Sequence, residues 1–302
     1  MRYKTLGRTG ERVSPIGLGG AHSAKPESRE ESIALVRIAI DGGITFLDNC
    51  WDYSGGEAEI RMGLALQDGY RDRAFLMTKI DGHTKAAAAA QIDQCLARLR
   101  TDRIDLLQLH EMIRPDDPDR VSAPGGAIEA LIAAREAGKI RYAGFTGHKD
   151  PEIHLRMLEL GFRFDAVQLP LNPLDYHYRS FEARVVPVLV ERGIAVLGMK
   201  PLAAGRLPER GAVSAEACLR YALSLPTSVV ITGCVSVADV DQALQAGATF
   251  TPFSAAEMDD VRTRAAAFDG AAAGAVEGWK TSHDFDGTLA NPHWTTTASL
   301  TA

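Results

Sequence analysis

Short apolar runs alternate with longer amphipathic stretches along most of this 302-residue chain, and that alternation constrains the fold more than any single residue does. The runs are Ile16–Leu18, Thr45–Leu47, Phe75–Thr78, Asp105–Leu109, Tyr142–Phe145, Ala166–Leu169, Ala195–Met199 and Val229–Ile231. Each has about the 4–6 residues of a buried strand. They are almost continuously apolar, as strands are when a parallel sheet is covered on both faces. Between them, Glu31–Asp41, Glu57–Leu66, Thr84–Arg100, Ala127–Ala137, Pro151–Leu160, Phe181–Arg192, Ser214–Leu225 and Val237–Ala246 space their apolar residues at helical intervals. Gly42-Gly43, Gly138, Gly161, Gly193 and Gly247 follow such stretches, where a left-handed backbone ends a helix. Pro151 opens one.

Eight strands and eight helices in strict alternation, over about 250 residues, predict an α/β fold of the (β/α)8 TIM barrel type. An open doubly wound sheet is the rival, but it carries GxGxxG after its first strand, and here Gly17 and Gly19 are followed by His22. Residues 1–302 are expected to form a single barrel domain. Turn signals at Gly7 and Thr9-Gly10 make residues 1–14 an N-terminal β-hairpin that plugs the barrel bottom. A last helix is expected over Ser254–Phe268, and then a C-terminal tail, 269–302, near the barrel mouth. Its Trp279, Phe285 and Trp294 argue that part of it packs.

The net charge of −6, with no cluster of Lys and Arg, argues against nucleic-acid and anionic-membrane partners. Cys50, Cys95, Cys218 and Cys234 form no CxxC pair, so no metal is expected, and isolated cysteines fit a reducing compartment. With no apolar N-terminal stretch and no long apolar run, the expected location is cytoplasmic.

Chemistry in a barrel gathers where the strands end at the C-terminal face. The second run ends in Asp48, the third leads into Lys79 and the fourth into His110, with Tyr53 a few residues beyond Asp48. Lys79 follows a buried run directly and needs an anionic partner; Asp48 on the adjacent strand supplies one. A phenol is a weak acid at neutral pH. A neighbouring ammonium is expected to lower its pKa and make it a better proton donor. His110 would bind and orient the substrate oxygen.

These residues resemble the signatures of the aldo-keto reductase family: Phe46-Leu47-Asp48-Asn49-Cys50-Trp51-Asp52-Tyr53, Thr78-Lys79 and Asp105-Leu106-Leu107-Gln108-Leu109-His110. The resemblance implies a catalytic set of Asp48, Tyr53, Lys79 and His110, with Tyr53 as proton donor. It also implies a nicotinamide cofactor and a small carbonyl or alcohol substrate. Thr146 and Gln168 stand where the family holds the carboxamide; Gly147 replaces the usual Asn, and His148 is a possible substitute. Met199 takes the place of a stacking aromatic, followed by Lys200, Pro201, Leu202 and Gly205. Gly233 and the helix start after it would receive phosphate. Val235 and Asp239 stand where basic residues usually meet the adenosine 2′-phosphate, which leaves both NADP(H) and NAD(H) open. A non-catalytic alternative, a nucleotide-binding regulatory subunit with this fold, is disfavoured by the complete tetrad.

Two other motifs fail. Asp284-Phe285-Asp286-Gly287-Thr288 resembles a DxDGT phosphatase motif but lacks a buried strand before it, and His110-Glu111 begins an HExxH that Arg114 breaks. Asp116, Asp117 and Asp119 read as solvated, and Trp51 as either pocket wall or core packing.

Overall fold

The structure, a computed structural model, describes residues 1–209, 211–268 and 278–290. Its strands are β1 (Lys4–Thr5), β2 (Arg12–Val13), β3 (Ile16–Gly19), β4 (Phe46–Asp48), β5 (Phe75–Ile80), β6 (Ile104–Leu109), β7 (Ile140–Thr146), β8 (Ala166–Pro170), β9 (Ala195–Met199) and β10 (Val229–Gly233). β3 to β10 pair in parallel and in sequence, and β10 closes back on β3. All eight expected strands are present.

The two-residue period of a strand sorts the barrel's side chains. Phe46, Phe75, Met77, Leu106, Ala166, Ala195, Leu197 and Val229 form one buried cluster. Their alternates Leu47, Leu76, Leu107, Val167 and Val196 belong to a larger one, shared with the helices. β1 and β2 pair antiparallel, and Leu6 and Val13 of this hairpin join the first, interior cluster. Each is worth about 1.5–3 kcal/mol when fully buried. At Gly7 the backbone has φ +50, and a Cβ there would lie 2.6 Å from the Ala195 nitrogen, so the plug seats tightly against β9.

Helix ends depart from expectation at two places. Phe181–Arg192 is split into Phe181–Arg184 and Val186–Glu191, because Pro187 has no N–H to continue the ladder. Gly247 lies inside a helix, Val237–Thr249, where a side chain would strike Met1 and Ile16; close packing, not termination, explains it. Asp117 is not solvated: it is fully buried and accepts the Ile113 and Arg114 N–H groups at 2.8 Å each. The four cysteines are free and buried. No described helix is long and apolar enough to cross a membrane.

Candidate active site

The parity that turns Phe46, Phe75, Met77 and Leu106 inward also turns Asp48, Lys79 and His110 inward, at the mouth end of β4, β5 and β6. Lys79, 1% exposed, donates to the Asp48 carboxylate, to the Asn49 carbonyl at 2.7 Å and to the Tyr53 oxygen at 3.4 Å. The three N–H groups of an ammonium are thereby used. Tyr53 opens a short turn in which Ser54, Gly55 and Gly56 all take positive φ, folding the chain back so that the Lys79 nitrogen lies 4.9 Å from the phenol ring centre. The Tyr53 oxygen accepts from Lys79, which leaves its own O–H for another partner.

Tyr53 does not have the lowered pKa expected of a phenol beside an ammonium. Burial, followed by the carboxylates and thiol of Asp48, Cys50, Asp52 and Glu111, pushes it well above the ordinary phenol value. Lys79's charge is spent largely on Asp48. The phenol is therefore held protonated, as a donor must be.

His110 is buried among groups that sequence spacing does not reveal. Its Nδ1 lies 2.8 Å from Asp81 Oδ1, 3.3 Å from Cys50 Sγ and 4.0 Å from Asp52 Oδ1. Its Nε2 lies 4.0 Å from Glu111 Oε1, and its ring meets the Tyr53 ring edge-on at 6.0 Å. Burial pulls the imidazole down, but Glu111, Asp81 and Asp52 outweigh it and the value rises to about 9. At neutral pH this is an imidazolium.

The tail reaches the same place. Glu111, at φ +50, accepts from the Thr288 N–H and hydroxyl at 2.9 Å each and from the Gly287 N–H at 3.2 Å. Asp286 receives His148 Nε2 at 2.9 Å, Lys149 at 2.8 Å and His283 at 2.8 Å. Trp279 is fully buried beside Tyr221, Leu174 and Leu207, with Phe285 edge-on at 6.2 Å. Two aromatics thus anchor the segment that carries Gly287 and Thr288 to Glu111. The surface turn expected of Asp284–Leu289 is instead a strap across the rim. Trp294 lies outside the described residues. Trp51 packs against the helical core, donating to Gln94 at 2.6 Å with Arg98 over its ring at 5.4 Å.

At the ends of the next strands, Thr146 pairs in register with Gln168, and its hydroxyl lies 3.9 Å from Met199 Sδ. Gln168 donates to Asp48 Oδ2 at 3.2 Å, while its Oε1 is buried with no hydrogen-bond partner. Gly147 has no room for the Asn usual in the family, since a Cβ there would lie 2.3 Å from the Met112 carbonyl oxygen. His148 does not substitute: it is committed to Asp286. Beyond β9 the loop is wound tightly, with positive φ at Lys200, Ala203, Ala204 and Gly205; Pro201 is buried and Leu202 partly so. At the end of β10 the His22 ring packs on Gly233. Val235 is exposed, and Asp239 accepts the Val235 and Ser236 N–H groups at 2.9 and 3.0 Å. The helix start after β10 therefore carries a carboxylate.

The aldo/keto reductase family model matches residues 15–214. The chain belongs to the aldo-keto reductase family. Among its relatives is an oxidoreductase of Bacillus subtilis, 30% identical over 198 residues; the match covers 60% of this chain and 63% of the relative. A 6-dehydroglucose reductase of Novosphingobium aromaticivorans is 30% identical over 68% of this chain and 70% of its own. Of solved structures, an aldo/keto reductase of Klebsiella pneumoniae in complex with NADP and acetate is 26% identical, with a TM-score of 0.70 over 87% of this chain and 95% of that one. A Bacillus halodurans aldo-keto reductase (TM-score 0.75, 24% identity, 87% and 96% covered) shares the fold. In this member of the family the side chains of Asp48, Tyr53, Lys79 and His110 meet at one rim.

Proposed function

We propose that this aldo-keto reductase transfers hydride between a nicotinamide cofactor and a small carbonyl compound, or the corresponding alcohol or sugar. The observation that carries this is the Lys79 ammonium bridging Asp48 and Tyr53, with the His110 ring edge-on to the phenol at 6.0 Å. As hydride reaches the carbonyl carbon, negative charge develops on its oxygen. Tyr53, held protonated, donates its O–H to that oxygen, while His110 Nε2 donates a hydrogen bond that orients it. Lys79 then meets the incipient phenolate at short range, which is where its charge counts.

The residues present fit a nicotinamide. The orphaned Gln168 Oε1 can accept from a carboxamide and Thr146 can bond its other face, with Met199 as a polarisable surface for the ring. The bound cofactor supplies the hydride. Lys200, Pro201, Leu202 and Gly205 after β9 and Gly233 at the end of β10 are the rim positions assigned to the rest of the cofactor; the Val235 and Ser236 N–H groups beyond Gly233 are held by Asp239, so a diphosphate there would have to displace its carboxylate. Asp239 favours a free ribose hydroxyl over a 2′-phosphate by like-charge repulsion, so NADH ranks ahead of NADPH.

The name of one relative, the 6-dehydroglucose reductase, makes sugar carbonyls the first substrates to try. Absorbance at 340 nm with each cofactor and a panel of sugar and simple aldehydes tests the proposal; absence of turnover across the panel by folded protein rejects it.

A further inference from the structure

We propose that Cys50, Asp52, Asp81 and His110 Nδ1 form a binding site for a zinc-class divalent ion, on the side of the imidazole away from the carbonyl. One ligand atom from each lies within 4.8 Å of all the others. They come from the turn after β4, the loop after β5 and the end of β6, so the barrel itself assembles them. Tetrahedral zinc, with bonds of about 2.0–2.3 Å, needs its ligand atoms about 3.3–3.8 Å apart. Cys50 stands at 3.3 Å from His110 Nδ1, at the edge of that range; Asp81 at 2.8 Å must open by about 0.5 Å and Asp52 at 4.0 Å must close in slightly. Asp52 is the partly exposed member, able to shift and to admit an ion.

The polar bookkeeping of the cluster leaves a cation wanting. Nδ1 faces Asp81, Cys50 and Asp52, and for Asp52 Oδ1, itself buried, the only donor at hand among the described residues is the weak one of the Cys50 thiol. A carboxylate oxygen so placed costs free energy that a cation recovers. Sulfur and imidazole nitrogen in the set select zinc over magnesium or calcium. The exchange is neutral: one Zn2+ enters as one proton leaves the Cys50 thiol and one leaves His110 Nδ1, so the cluster's net charge does not change. Nε2 keeps its hydrogen toward the mouth. Gln91 Oε1 already fixes the ligand loop by accepting the Asp81 and Gly82 N–H groups at 2.8 Å.

The site goes beyond the reductase reading and does not depend on it, so its test reads no turnover. Chelator-treated full-length protein is titrated with Zn2+ by calorimetry and with Co2+ by absorption. One ion per chain is expected, and the cobalt form should show a thiolate charge-transfer band with the intense visible bands of tetrahedral geometry. Cys50→Ala should abolish the charge-transfer band. Asp52→Asn should keep it and weaken zinc binding at least tenfold, since loss of even an outer partner costs about 10–100-fold. A wild-type cobalt spectrum without the thiolate band, or the same band in Cys50→Ala, overturns the proposal. Should Cys50→Ala fail to fold by circular dichroism, Asp52→Asn decides, and unchanged affinity there overturns it.

Discussion

Lys79 and Asp48 meet across adjacent strands with side chains only 1% and 6% exposed, and the pair is held in place by Asn49 and Gln168 as well as by each other. Breaking such a pair strands a charge in a dry interior. Lys79→Met is predicted to destabilise the fold by about 3–5 kcal/mol. A urea midpoint equal to that of the parent protein would contradict the pairing.

Tyr53→Phe removes one oxygen and little volume. Its carbonyl reduction should slow by about 10²–10⁴-fold, the usual worth of a positioned acid, with cofactor affinity retained as read by tryptophan quenching. Retention of full kcat would transfer the donor role elsewhere.

Asp239→Ser removes the carboxylate from the helix start at the nucleotide end. The ratio of kcat/KM for NADPH over NADH should rise by about tenfold, equivalent to about 1.4 kcal/mol of relieved repulsion. A ratio that stays put would place the 2′-position away from Val235 and Asp239.

Acid should loosen the protein through its buried neutral histidines. Burial brings His83 and His148 down to about 4, with Arg114 and Arg120 adding to the effect on His83 and Asp286 opposing it on His148; burial brings His154 to about 3. These folded values lie below the ordinary value of about 6.5. The stability they confer is present above pH about 6.5 and is lost as pH falls toward 4, by up to about 3 kcal/mol each. His110, raised to about 9, is protonated in the folded state throughout; the unfolded imidazole still takes up its proton at about 6.5, so His110 offsets the loss by about 1 kcal/mol between pH 7 and 5.5 and adds almost nothing below that. Urea midpoints at pH 7, 5.5 and 4.5 should fall steadily; a flat series would show that these rings protonate without loss.

Asp286 is the tail's ionic anchor, receiving His148, Lys149 and His283. Asp286→Ala should speed proteolytic cutting within 278–290 several-fold while the global urea midpoint moves little, because Trp279 stays packed. Equal cutting rates would mean that the aromatic anchor alone holds the strap.

Most of the barrel was legible because its eight strands are apolar on both faces and short, and the tetrad was legible because its members end consecutive strands. Asp81, Cys50 and Asp52 escaped notice as neighbours of His110: their convergence depends on how two loops fold back over the rim, and no periodicity encodes that. Glu111 was read only as part of a failed metal motif, although its positive φ and tail contacts give it a place at the mouth. The expected lowering of the Tyr53 pKa considered one charge beside the phenol and not the desolvation, the three carboxyl groups and the thiol around it. Gly147 looked like a lost contact; the Met112 carbonyl leaves space for nothing larger.

The hairpin of β1 and β2 stoppers one end of the barrel early in the chain, whereas the residues that fasten over the other end come more than 270 positions later. During synthesis the cylinder can therefore be assembled and corked from below while its upper opening is still bare. The catalytic doorway receives its final shape only when 278–290 has emerged, so shortened products lacking that stretch should be barrels with an unfinished entrance.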